Sequence, residues 1–160
     1  MEIKRDLYLN KLVERMHNGM IKVVTGVRRS GKSYLLLKIF SDYLRSQGVT
    51  DDHILQVELD DRKNKALRDP DAFCDWVDSK IQDDRMYYLM IDEIQMLDEF
   101  VDVLNSMLHI RNVDTYVTGS NARFLSKDIA TEFRGRGDEI DIYPLSFSEF
   151  MSVYNGSEEK

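Results

Sequence analysis

One segment restricts the possible folds more than any other: "IKVVTGVRRSGKSYLLLKIF", which begins at Ile21. An apolar run runs into a loop bounded by Gly26 and Gly31, and Lys32 and Ser33 then open an apolar-periodic helix. "GVRRSGKS" matches G-x-x-x-x-G-K-[ST], and the strand before it and the helix after it are the context that this pattern requires. Glycine permits backbone angles that a β-carbon forbids, so the chain can wrap closely around a ligand. Successive backbone N–H groups then form an anion nest, and the helix N-terminus adds its dipole and its free donors. Such a loop holds phosphates. Lys32 is expected to reach the β- and γ-phosphates and the Ser33 hydroxyl to coordinate magnesium. Gly26, Arg29, Ser30, Gly31, Lys32, Ser33 and Tyr34 are the residues expected to line the nucleotide. Arg28 and Arg29 either touch phosphate or ribose or lie solvated on an exposed turn.

The rest of the chain alternates strand and helix. "DLYLNKLVERMHNG" places Leu9, Leu12, Val13 and Met16 at helical spacing, with Gly19 as a stop signal. "HILQVELDD", "YYLMIDE", "DTYVTGSN" and "DEIDIYPLSF" read as strands two to five. Between them lie a helix ending near Gly48, one with Asp69 as cap and Pro70 at its first position, and one carrying Phe100, Val101, Leu104, Met107 and Leu108 on a single face. A short helical stretch is expected from Ala122, and "SFSEFMSVY" starts a last helix. Strands separated by helices predict a parallel sheet covered on both faces. "YYLMI" is continuously apolar, as a central strand should be. "ILQVEL" and "EIDIYPL" alternate, and the latter contains Pro144, so the second and fifth strands are expected at the edges.

"YYLMIDEIQ" carries a carboxylate to the carboxyl edge of that sheet, where ligands bind in open α/β folds. Asp92 is expected to hold the magnesium shell, through water or through Ser33. Glu93 stands where a carboxylate can polarise a water for attack on the γ-phosphate, which separates an NTP hydrolase from a small-molecule kinase. GTP specificity is not indicated: "NKAL" puts Leu67 where the aspartate of N-K-x-D belongs, and Gln95 stands where the switch glycine of small GTPases falls.

"TYVTGSNARF" ends a strand in small polar groups. Thr118, Ser120 and Asn121 either hydrogen-bond the γ-phosphate or the attacking water, with Ser120 or Asn121 the better placed, or serve the turn's backbone. In "EFRGRGDEI", Arg134 and Arg136 either reach transition-state charge or pair locally with Asp138 or Glu139. Glu58, Asp60 and Asp61 read as solvated carboxylates at the end of the second strand.

A chain of 160 residues can bury one sizeable core but hardly two. Its formal net charge of −7 opposes a broad nucleic-acid surface, which carries excess Lys and Arg, and leaves room only for a local basic patch. No apolar run reaches membrane-spanning length, the N-terminus lacks a secretory signal, and the lone Cys74 cannot form an internal disulfide. These features predict a cytoplasmic protein with no membrane association. His17, His53 and His109 show no ligand spacing, so a protein-held metal site of that kind is not expected.

Taken in order, "VVTGVRRSGKS", "YLMIDEIQ", "YVTGSNARFLS", "FRGR" and "YPLSFSEF" resemble predicted bacterial and archaeal ATPases of the AAA superfamily. In that family a P-loop ATPase domain precedes a C-terminal domain of unknown function. The resemblance covers nearly the whole chain. "GVRRSGKS" is common to many NTPases, and "GR" followed by "YPLSFSEF" is the more specific part. It implies a three-layer α/β P-loop NTPase fold with a parallel five-stranded sheet of ASCE type, order 5-1-4-3-2, and Mg2+ with ATP or ADP as cofactor. By position, Lys32, Ser33, Asp92 and Glu93 take the roles given above, Ser120 the sensor position and Arg136 the family's Gly-Arg arginine. Residues 1–160 are then one ATPase domain: an N-terminal helix over 1–19, a core over 20–145, and from 146 to 160 the start of a connection to a further C-terminal region. The function implied is Mg-dependent ATP hydrolysis coupled to that region or to a protein partner. The competing reading is a nucleotide-gated binding module with negligible turnover by itself.

Overall fold

A computed structural model describes residues 2–26, 31–119 and 137–141. The second half of the glycine loop, residues 27–30, lies outside the described residues, as do 120–136 and the chain after 141.

Five strands form one parallel sheet: β1 (Ile21–Thr25), β2 (Ile54–Glu58), β3 (Tyr87–Asp92), β4 (Val113–Gly119) and β5 (Gly137–Asp141). Their order is β2-β3-β4-β1-β5, which read from the other edge is 5-1-4-3-2. The two alternating strands thus stand at the edges, as their patterns predict. The continuously apolar β3 is internal, and the middle place belongs to β4.

Period-two alternation divides each internal strand between two cores. Tyr87, Leu89 and Ile91 face one layer, and Tyr88 and Met90 face the other. The first layer is built by α3 (Pro70–Lys80), through Phe73 and Val77, and α4 (Phe100–Leu108), through Phe100, Val103, Leu104 and Met107. The spacing of those four α4 residues makes a single apolar stripe, and each burial contributes about 1.5–3 kcal/mol. The second layer holds Leu12 of α1 (Glu2–Glu14) and Leu35, Leu36, Phe40 and Leu44 of α2. Helix α2 starts as Lys32–Tyr34, passes through a π-helical segment at Leu35–Phe40 and finishes as Ser41–Ser46. The result is a three-layer α/β fold.

Local chemistry sets the element ends. The Asp69 carboxylate accepts the Ala72 N–H at 2.9 Å, and Pro70 occupies the first turn, so α3 starts at its predicted cap. Helix α2 closes with Gly48 at φ 93°, where the Gly48 N–H reaches the Arg45 carbonyl and the Val49 N–H the Leu44 carbonyl, both at 3.0 Å. Helix α1 ends earlier than Gly19 suggests. It stops at Glu14, and His17 then takes a left-handed conformation in which its N–H is held by the Asp114 carboxylate at 3.0 Å. A long-range acceptor at His17 and then Gly19, at φ 77°, together bend the chain into β1.

That acceptor belongs to a polar network at the end of the sheet where β1 and β4 begin. Lys22 is fully buried and pairs with Asp114, which is 5% exposed. Asp114 also accepts the Tyr116 hydroxyl, and Lys22 donates to the Asn18 side-chain carbonyl at 3.2 Å and lies over the Tyr116 ring. His17 meets the Tyr88 hydroxyl at 2.7 Å. Burial and then the Asp114 charge push the Tyr116 phenol far above its ordinary value. Cys74 is half-buried against the first core, and burial followed by the charges of Asp78, Asp71 and Asp75 raises its thiol, which makes it a poor nucleophile.

Candidate functional site

Parallel strands deliver their C-terminal residues to one rim, and here that rim carries the polar residues. Thr25 and Gly119 are register partners at the ends of β1 and β4, and Glu58 and Asp92 at the ends of β2 and β3. Beyond β1 the chain passes Gly26 and re-enters at Gly31, whose φ of 90° and ψ of 12° lie in the left-handed region open to glycine. Gly31 caps α2, and its carbonyl accepts the Leu35 N–H at 2.9 Å. Lys32, at the first position of the helix, is only 3% exposed.

The next residue ties the helix to the sheet. The Ser33 hydroxyl donates to Oδ1 of Asp92 at 2.7 Å. The same oxygen accepts the Thr118 hydroxyl at 2.6 Å, and Thr118 Oγ1 in turn accepts the Glu93 N–H at 2.9 Å. Glu93 leaves β3 in a left-handed conformation (φ 58°, ψ 58°), uncommon for a residue with a side chain. Its Oε1 accepts the Gln95 amide at 2.8 Å. Carboxylate oxygens of Asp60, Asp92 and Glu93 all lie within 4.8 Å of one another.

Crowded carboxylates repel, and burial penalises their charge. Asp92 is raised above the usual carboxylate range, first by burial and then by Glu93 and Asp60, against the opposing hydrogen bonds from Thr118 and Ser33. Glu58 is raised by burial and by Asp92, Asp60 and Asp61. A cation placed among these oxygens relieves both effects. Hard oxygen donors of this kind (a serine hydroxyl and carboxylates) suit magnesium, so the residues present fit that ion.

Lys32, Ser33, Asp92 and Glu93, singled out in the sequence as parts of two distant motifs, are therefore brought together. Gly26 and Gly31 flank them. Tyr34 is 52% exposed on the first turn of α2. Arg29, Ser30, Ser120 and Arg136 lie outside the described residues, as do Arg28, Asn121 and Arg134. Two further residues were undervalued in the sequence. Thr118 is fully buried and its hydroxyl is committed to Asp92 and Glu93, so it braces the carboxylates from within. Its place near the tip of the fourth strand was the available signal. Asp60 is exposed, as a solvated carboxylate should be, yet stands within the cluster.

This fold and this rim define a P-loop NTPase of the AAA class. A similar arrangement of the chain occurs in the solved structure of the Aeropyrum pernix ORC1 protein in complex with DNA (TM-score 0.62, 14% identity, 97% of this chain and 49% of that one). The chain belongs to the AAA domain family, whose model matches residues 18–151. It is 38% identical over 154 residues to an uncharacterized protein of Haemophilus influenzae, covering 96% of this chain and 38% of that protein. It is 30% identical over 162 residues to the uncharacterized protein MJ1544 of Methanocaldococcus jannaschii, covering 98% and 34%. The chain thus spans between a third and two-fifths of the length of these relatives. Among the described residues no helix is long and apolar enough to cross a membrane.

Proposed function

We propose that this domain binds ATP with magnesium and hydrolyses the β–γ phosphoanhydride, coupling the reaction to an attached domain or a protein partner. The observation that carries the reading is the 2.7 Å hydrogen bond from Ser33 to Asp92, which joins the phosphate loop to the acidic strand end immediately beside buried Lys32. Magnesium, when bound, neutralises charge on the β- and γ-phosphate oxygens. Ser33 and Asp92 are the residues that hold it, directly or through water.

Gly26, Arg29, Ser30, Gly31, Lys32, Ser33 and Tyr34 form the nucleotide-binding set. The loop amides and the Lys32 ammonium bind the phosphates, and the helix dipole of α2 adds to their field. Glu93 takes a proton from the attacking water as its oxygen bonds to the γ-phosphorus and the bond to the β-phosphate oxygen breaks, leaving ADP and phosphate. Ser120 and Arg136 complete the catalytic set, as the polar group beside the γ-phosphate and as the arginine that meets transition-state charge. Residues 1–160 act as one ATPase domain, with 146–160 leading to a further region, and the greater length of both relatives supports that organisation. A cytoplasmic location accords with the single cysteine.

The test is phosphate release by the longest natural chain carrying this domain, with and without Glu93→Gln. The variant is expected to keep ATP affinity and to lose at least ~100-fold in turnover. Turnover equal to that of the unchanged chain removes Glu93 from its role. Tightly bound nucleotide without phosphate release, even with protein partners, favours a nucleotide-gated binding module, and a rate that rises with added DNA assigns a nucleic-acid partner despite the net charge.

A further inference from the structure

Resting on the proposed role of Glu93, we infer that Gln95 is a positioning residue for that carboxylate: its side-chain amide, carried on the turn after β3, holds Glu93 in the orientation that the reaction uses. The contact is Gln95 Nε2 to Glu93 Oε1 at 2.8 Å. A carboxylate only accepts, so the amide must present its nitrogen and the orientation of the Gln95 side chain is fixed by its partner.

The turn that carries Gln95 is rigid for reasons visible in the fold. It is a 3-10 segment, Ile94–Met96, in which the Met96 N–H meets the Glu93 carbonyl and the Leu97 N–H the Ile94 carbonyl, both at 3.0 Å. Ile94 and Leu97 are buried in the first core, so the backbone on either side of Gln95 is anchored. The Asp98 N–H is held by the Arg68 carbonyl at 3.0 Å. Glu93 itself stands at a reversal, left-handed between strand and turn, with its N–H fixed by Thr118. A side chain leaving such a reversal has rotamers that sweep different directions, and the Gln95 amide favours the one that keeps Oε1 within its reach. Pre-organising a base in this way removes a search that otherwise adds to the barrier.

The test is steady-state turnover and ATP affinity of the longest natural chain bearing Gln95→Met, which keeps bulk without a donor, and Gln95→Leu, which removes the donor without adding charge to the carboxylate cluster. Both are expected to lose ~10-fold or more in kcat with ATP affinity unchanged, and Gln95→Met is expected to add nothing to the loss already caused by Glu93→Gln. Unchanged ATP affinity also reports that the variants fold, and if one does not, the other carries the test. Turnover within about twofold of the unchanged chain, or an equal loss in the presence and absence of the Glu93 carboxylate, overturns the inference. Normal loss in Glu93→Gln with no effect of Gln95→Met removes Gln95 alone. Full turnover in Glu93→Gln, or none in the unchanged chain, removes the reading on which it rests.

Discussion

Thr118 gives its hydroxyl proton to Asp92 at 2.6 Å and, through the same oxygen, accepts the backbone N–H of the next residue, Glu93, at 2.9 Å. Thr118→Val keeps the shape of the side chain and removes both bonds, leaving a buried N–H without its acceptor. The expected cost is about 1–3 kcal/mol in denaturant unfolding, together with reduced turnover. A midpoint of unfolding equal to that of the unchanged protein contradicts the bracing role.

Lys32→Ala should abolish ATP binding while leaving the fold intact. The buried lysine sits at the start of α2, directly after Gly31, where the proposed function puts its charge on the phosphates. Calorimetric titration checks this directly, and micromolar affinity in the variant rules the assignment out.

Asp114→Ala removes the carboxylate of the buried Lys22 pair and leaves the ammonium in the sheet without that counter-charge. Loss of such a partner costs ~3–5 kcal/mol, and here the His17 N–H and Tyr116 hydroxyl also lose their acceptor. Replacing both members, Lys22→Met with Asp114→Leu, should recover part of that stability. Unfolding free energies of the two variants decide the matter.

His53 supplies a pH dependence. Its ring is buried, stacks on Tyr87, and meets Asp83 through Nε2 and Asp52 through Nδ1, both at 2.9 Å. Burial lowers its pKa, but the hydrogen bonds of Asp83 and Asp52 and the charge of Asp83 outweigh burial and the nearby Arg85, so the folded value is raised. The stabilisation is then complete below the unfolded value of about 6.5 and fades as pH rises through the higher folded value. His53→Gln should narrow its stability gap to the unchanged protein as pH climbs through that window. A gap that widens with pH refutes the sign.

How much of this was legible depends on whether the signal was local. The Asp69 cap and its Pro70 are adjacent in sequence and were readable there. So was the edge placement of β2 and β5, because alternation reports one-sided burial. Ser33 and Asp92 are 59 residues apart but each sat in a motif whose chemistry demands the other. Lys22 and Asp114, 92 residues apart, sat in no motif, and each lay unremarked inside a predicted strand. Thr118 was noticed for its hydroxyl and left between a ligand and the turn's backbone, because sequence cannot show that Asp92 lies within its reach. The end of α1 was misplaced for the same reason, since the carboxylate that holds the His17 N–H comes from β4.

The sealed lysine–aspartate link has a mechanical meaning. It fastens the first and fourth strands at the end of the sheet away from Thr25 and Gly119, where water cannot compete for either charge. Separating those two strands there would first have to break a desolvated ion pair, so the sheet is hardest to part at the edge opposite Thr25 and Gly119.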